Sequence, residues 1–194
     1  MTVAVDLFPQ PRPSPALARL RRLSRPFELL FAALAVLPLL FLAMFAVGGF
    51  IPNPYMRIGP EGCYLTFRET IPNTIPITDM PLATRLLGFA TLAIIWGALT
   101  CALWSLHRLF AGYRRGQVFT EASIGSMRWA GAGLIVFGIG PGATQPFLRA
   151  AGSLDHAWFH GHSVVALITG AALLVFAVVF ALGQEIAREA EGYV

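Results

Sequence analysis

Lysine is absent from this 194-residue chain, acidic residues number ten, cysteines two, and charged residues of both signs make up only 12%. Soluble domains carry about 25% charged residues. The apolar excess rules out a disordered chain, two cysteines rule out a disulfide-stapled secreted domain, and both together rule out an ordinary cytosolic enzyme. What is present is apolar: 56% of residues are hydrophobic and the mean hydropathy is +0.67. All 14 basic residues are arginine, giving a formal charge of +4. The arginines fall between apolar runs rather than in one cluster, which reads as a topology signal and leaves no nucleic-acid patch.

A membrane-spanning helix takes about 20 predominantly apolar residues. Four stretches meet that length, at 27–51, 86–106, 129–147 and 164–182. The expected fold is therefore all-α, a four-helix integral membrane bundle. Residues 1–26 form a basic, proline-punctuated leader, residues 27–182 the membrane domain and residues 183–194 a tail. The first apolar run is about twice the length of a signal-peptide core, so it reads as a retained anchor. Ten arginines (Arg12, Arg19, Arg21, Arg22, Arg25, Arg108, Arg114, Arg115, Arg128 and Arg188) fall on the side of the two termini. Four (Arg57, Arg68, Arg85 and Arg149) fall on the other. The positive-inside bias then predicts a multi-pass protein of the plasma membrane with both termini in the cytoplasm. Residues 16–25 suit either a short amphipathic helix on the inner leaflet or a plain basic tail. The prolines at 54, 60, 72, 76 and 81 forbid a long helix in the external segment 52–85 and allow at most a short hairpin.

The spans hold no ionisable residue away from their ends, where Glu28 and His107 sit. Ion-coupled transport normally uses such residues, so a transporter or channel subunit would have to work as an oligomer. The third span carries Gly131, Gly133, Gly138, Gly140 and Gly142, with Gly138 and Gly142 in small-xxx-small spacing. It reads as a packing helix at the centre of the bundle, kinked at Pro141; the other reading is a cavity-lining element with Gln145 as its polar handle.

The run DHAWFHGH places His156 and His160 four apart, with His162 close by. On a helix that spacing suits a zinc or copper ion and would make the chain a metal-binding membrane accessory. Trp158 and Phe159 beside it fit an interfacial anchor equally. Apart from that ion no cofactor is expected. His107 and the other three histidines fall on opposite sides, too far apart to share a haem.

The segment leaving the second span, LWSLHRLFAGYRRGQVFTEASIGSMRWAG, covers residues 103–131. Leu106, Leu109, Phe110 and Tyr113 extend the helix beyond the membrane edge, Gly116 suits a left-handed stop, and Thr120 suits an N-cap followed by Glu121. This segment is the expected inner docking surface for a partner protein or a second copy, through Tyr113, Arg114, Arg115 and Phe119.

Leu109, Phe110, Tyr113, Gly116, Phe119 and Thr120 follow in order a Leu-Phe-x-x-Tyr-x-x-Gly-x-x-Phe-Thr pattern. By it the chain resembles the bacterial membrane family catalogued as Domain of Unknown Function 2975, and the tail VVFALGQEIAREAEGYV is similar to that family's closing helix. The resemblance extends over about residues 30–194. It implies four helices and, because members are often encoded beside a small helix-turn-helix regulator, a regulatory or envelope-response context. It carries no catalytic residue with it, and the expectation is a protein that is not an enzyme.

Overall fold

The computed structural model describes residues 15–52, 55–59, 62–65, 72–150 and 161–191. Four long helices dominate: α1 (Pro15–Phe50), α2 (Leu82–Arg114), α3 (Glu121–Ala150) and α4 (Gly161–Glu191). All four are long and apolar enough to cross a membrane. The expected all-α membrane bundle is thus the observed one, and the outward faces of α1 and α4, with Leu37, Leu40, Ile168 and Val175 exposed, are surfaces for lipid.

The helices overrun the apolar stretches. At 1.5 Å per residue, the 36 residues of α1 extend for about 54 Å, against roughly 30 Å of hydrocarbon. Residues 16–25 are the first turns of α1 itself, helical and continuous with the span. Pro15 opens the helix, where its missing N–H costs nothing. Pro26 and Pro38 lie inside α1, and Pro141 and Pro146 inside α3. Each removes one backbone donor without ending its helix. Near one of them, the Thr144 hydroxyl donates to the Pro141 carbonyl at 2.8 Å.

Packing runs in sequence order, α1 on α2, α2 on α3 and α3 on α4, and the glycines of α3 explain how. A Cβ on Gly133 would lie 2.6 Å from the Ala98 carbonyl oxygen, and one on Gly140 would lie 2.9 Å from the Ile95 side chain, both on α2. A Cβ on Gly131 would lie 2.7 Å from the Gly170 carbonyl oxygen, and one on Gly138 would lie 2.9 Å from that of Ser163, both on α4. Each pair is seven residues apart and so holds one face. The two pairs are offset by two residues, about 200° around the helix, so they serve nearly opposite faces. The third helix is therefore the central packing helix, with its neighbours on either side. Gly138, one of the small-xxx-small pair, is among these four.

The segment 52–85 holds more than a hairpin. Strands β1 (Met56–Gly59), β2 (Gly62–Leu65) and β3 (Ile75–Pro76) form an antiparallel sheet in the order β2-β1-β3, followed by a 3-10 turn at Ile77–Asp79. Ile58 stands opposite both Cys63 and Ile75. The prolines permit this because the central strand has none, and Pro76 sits on an edge strand where no ladder donor is needed. Met56 and Ile58 alternate inward onto Phe45, Ile77 and Met80. Between them Arg57 turns outward, donating from Nε to the Thr74 hydroxyl and from Nη2 to the Thr74 carbonyl, both at 2.7 Å. The sheet thereby caps the end of α1 and the start of α2.

Candidate functional site

The most elaborate polar structure lies at the opposite end, where α2 turns into α3. Helix α2 closes in a Schellman arrangement: Gly116 N–H donates to the Tyr113 carbonyl at 2.9 Å and Gln117 N–H to the Gly112 carbonyl at 3.0 Å. Gly116 takes φ +83°, a conformation open to glycine at little cost. Thr120 caps α3, its hydroxyl oxygen accepting from Ser123 N–H at 3.2 Å. The Ser123 hydroxyl donates back to the Gln117 carbonyl at 3.1 Å. Both turn signals expected of Gly116 and Thr120 are therefore present.

Other helices brace this turn. From α4, Gln184 Nε2 donates to the Phe119 carbonyl at 2.6 Å and Arg188 pairs with Glu121 at 3.2 Å. From α1, Glu28 receives Arg114: Nε lies 2.7 Å from Oε2, and Nη2 donates to Oε1 at 3.1 Å. His107 Nδ1 lies 3.0 Å from the Glu28 main-chain carbonyl. A carbonyl only accepts, so Nδ1 carries the proton in that contact. Phe27 and Phe31 stack on Phe110 at 5.2 and 5.5 Å, which fixes α1 against α2 beside the ion pair.

Between these elements opens a cleft of about 300 Å³, lined among others by Glu28, His107, Arg108, Arg115, Ser123 and Ser126. The Glu28–His107–Arg114 grouping joins residues 79 and 86 positions apart. Sequence reading placed Glu28 and His107 at span ends but did not join them. The usable signal was an acid and a base at the same end of two antiparallel spans.

Of the four expected docking residues, Tyr113 is half-buried against Phe110 and Arg114 is engaged by Glu28. Arg115 and Phe119 are exposed, Phe119 at 62% with its ring 5.1 Å from Phe180. Of the expected metal ligands, His162 is exposed in the first turn of α4, its ring 6.1 Å from that of Phe137. His156 and His160 lie outside the described residues. Among the described residues no group of three histidine, cysteine or carboxylate side chains is placed to hold a metal ion.

A second polar locality lies near the other end of α3, where Gln145 of α3 and Ser163 of α4 are buried. A larger, apolar groove of about 600 Å³ lies between α1 and α2, lined by groups such as Leu34, Phe41, Trp96 and Leu103. It lies along the spanning parts of both helices and suits lipid chains.

No family model, no curated protein and no solved structure matches the chain. The class defined by the fold is that of a multi-pass membrane protein with a four-helix apolar bundle.

Proposed function

We propose that this chain is a non-enzymatic protein of the bacterial inner membrane, with both termini cytoplasmic, that binds a partner protein or a second copy at its inner turn. The observation that carries this reading is the bracing of residues 115–120. Caps at both ends and side chains from α1 and α4 hold a short turn from which Phe119 projects, 62% exposed. An exposed aromatic on a pre-ordered support is the usual form of an interface anchor, since little ordering entropy is lost on docking. Arg115 beside it adds a guanidinium that suits carboxylate partners. The resemblance of residues 109–120 to Domain of Unknown Function 2975, with its neighbouring regulators, supports a regulatory or envelope-response context for that contact.

The test is photo-crosslinking in cells, with the reactive residue placed at position 119 or, as a lipid-facing comparison, at position 129. A discrete adduct is expected at 119. Arg115→Ala should weaken it about fivefold, the loss typical of an interface residue worth ~1 kcal/mol. Adducts of equal strength at 129, or none at 119, would remove the docking reading.

A further inference from the structure

The cleft beside the turn lies at a definite depth. The apolar run of α1 begins at Phe27, that of α2 ends at Leu106, and that of α3 begins at Trp129. Glu28, His107, Arg108 and Ser126 all lie within a few residues of those limits and line one cavity. This is the level at which headgroup phosphates meet hydrocarbon.

The charge in the cleft is uneven. Glu28 is the acid that faces it, and Arg114 already holds that carboxylate at 2.7 Å. Glu121, in the first turn of α3, pairs with Arg188 of α4. Arg108 and Arg115 line the cleft as well, and among the described residues neither is in an ion pair. Arg108 lies on α2 and Arg115, seven residues on, is its helical C-cap, so the two share one face. Arg21 reaches over the rim from α1, its Nη2 only 2.8 Å from where a Cβ on Gly116 would lie. The amino end of α3, with its partial positive charge, closes the far side. Its Ser126 hydroxyl donates to the Ala122 carbonyl at 2.8 Å and keeps its acceptor lone pairs for water. The space, about 300 Å³, equals roughly ten water volumes and takes a phosphate ester with its residual hydration.

We propose that this cleft binds a phosphate-bearing anion, held by Arg108 and Arg115 against the α3 amino end. At this depth the anion is the headgroup phosphodiester of an anionic phospholipid. The Glu28–Arg114 pair then has a positioning role: it neutralises the one carboxylate that would repel the phosphate and fixes α1 as the cleft wall. The site shares Arg115 with the docking reading but not Phe119, which is not among its lining residues.

The test uses the full chain, purified in mild detergent and equilibrated with micelles containing equal phosphatidylglycerol and phosphatidylcholine. Retained lipid is read by native mass spectrometry. Preferential retention of phosphatidylglycerol is expected, falling about tenfold in Arg108→Gln with Arg115→Gln. Arg128→Gln, which removes an exposed arginine at the same end but outside the cleft, should change it less than about twofold. Should the double variant not fold, Ser126→Leu fills the cleft without altering charge and should produce the same loss. A second arm adds inorganic phosphate alone. If millimolar phosphate raises the melting temperature of the natural chain and strips the lipid, the site stands with free phosphate as its ligand. No lipid preference and no phosphate effect would overturn the proposal, as would equal loss in Arg128→Gln. Phe119→Ala should keep the lipid whatever the crosslinking outcome, which separates failure of this inference from failure of the docking reading.

Discussion

Glu28 and Arg114 meet beside the ends of the apolar runs of α1 and α2, where neither full exposure nor a dry interior sets the strength of the ion pair. The Glu28 side chain is 13% exposed and that of Arg114 is 50% exposed. The carboxylate is therefore largely desolvated while the guanidinium still reaches water. Removing the arginine alone would leave the carboxylate buried without its counter-charge, the costly kind of change. Replacing both removes the charge together with its need for a partner. Arg114→Gln should therefore lower stability by about 1–3 kcal/mol, while Glu28→Gln combined with Arg114→Gln should lower it by less. A double-mutant cycle measured by thermal unfolding in detergent gives the coupling, expected at about 1–2 kcal/mol, above the range of fully exposed pairs. A coupling indistinguishable from zero would mean that the stacked Phe27, Phe31 and Phe110 rings alone hold α1 to α2 at this end.

At the scale of the element, α3 is the informative helix. Its two glycine pairs allow backbone-to-backbone approach on opposite sides, which suits packing in lipid, where close van der Waals contact replaces the hydrophobic drive. Gly133→Ala would put a methyl group 2.6 Å from a backbone oxygen of α2, so the helices would have to separate. The expected cost is about 1–3 kcal/mol. Gly97→Ala in α2 and Gly183→Ala in α4 meet nothing within 4 Å and should be neutral or stabilising by roughly half a kcal/mol. Melting temperatures of the three variants check this; an unchanged midpoint for Gly133→Ala would show that α2 and α3 have slack between them. The reach of sequence reading differs by element for physical reasons. The spans, the Gly116 stop and the Thr120 cap were legible because hydropathy and capping are local properties. The packing role of Gly131, Gly133, Gly138 and Gly140 was legible too, but their division between two partners needs the helix neighbours to be known. The sheet was missed because its strands are two to four residues long and proline-flanked, held by Phe45 and Met80 from the adjoining helices. The Glu28–Arg114 contact depends on the register of α1 against α2, which apolar runs of similar length leave open by a turn or more.

For the whole molecule the decisive property is that both ends of the described chain emerge together. Arg21 of α1 overhangs Gly116, and Gln184 of α4 holds Phe119, so the start of α1, the α2–α3 turn and the end of α4 share one end. The sheet, the last turns of α3 and the first turns of α4 occupy the other end. Nine of the ten arginines assigned to the terminal side by sequence lie in described helices or in the turn between them, and their clustering is now a spatial fact rather than a count along the chain. Arg85, on the other side, is occupied locally, donating from Nη1 to the Gly49 carbonyl at 3.1 Å and lying 6.0 Å from the centre of the Phe50 ring. Arg57 is occupied likewise by Thr74. The arginines of the terminal end include several exposed ones, such as Arg22, Arg25 and Arg128, that suit the anionic cytoplasmic leaflet at about 1 kcal/mol each. The orientation expected on these grounds has the termini and the turn in the cytoplasm and the sheet outside. A phosphatase reporter active only outside the cytoplasm should therefore be silent when fused at Val194 or inserted at Gln117. Inserted at Asn73, in the exposed turn before β3, it should be active by at least an order of magnitude more. High activity at Val194 with silence at Asn73 would invert the molecule, moving Phe119 and the arginine cleft to the outer surface and removing the cytoplasmic partner together with the inner-leaflet lipid.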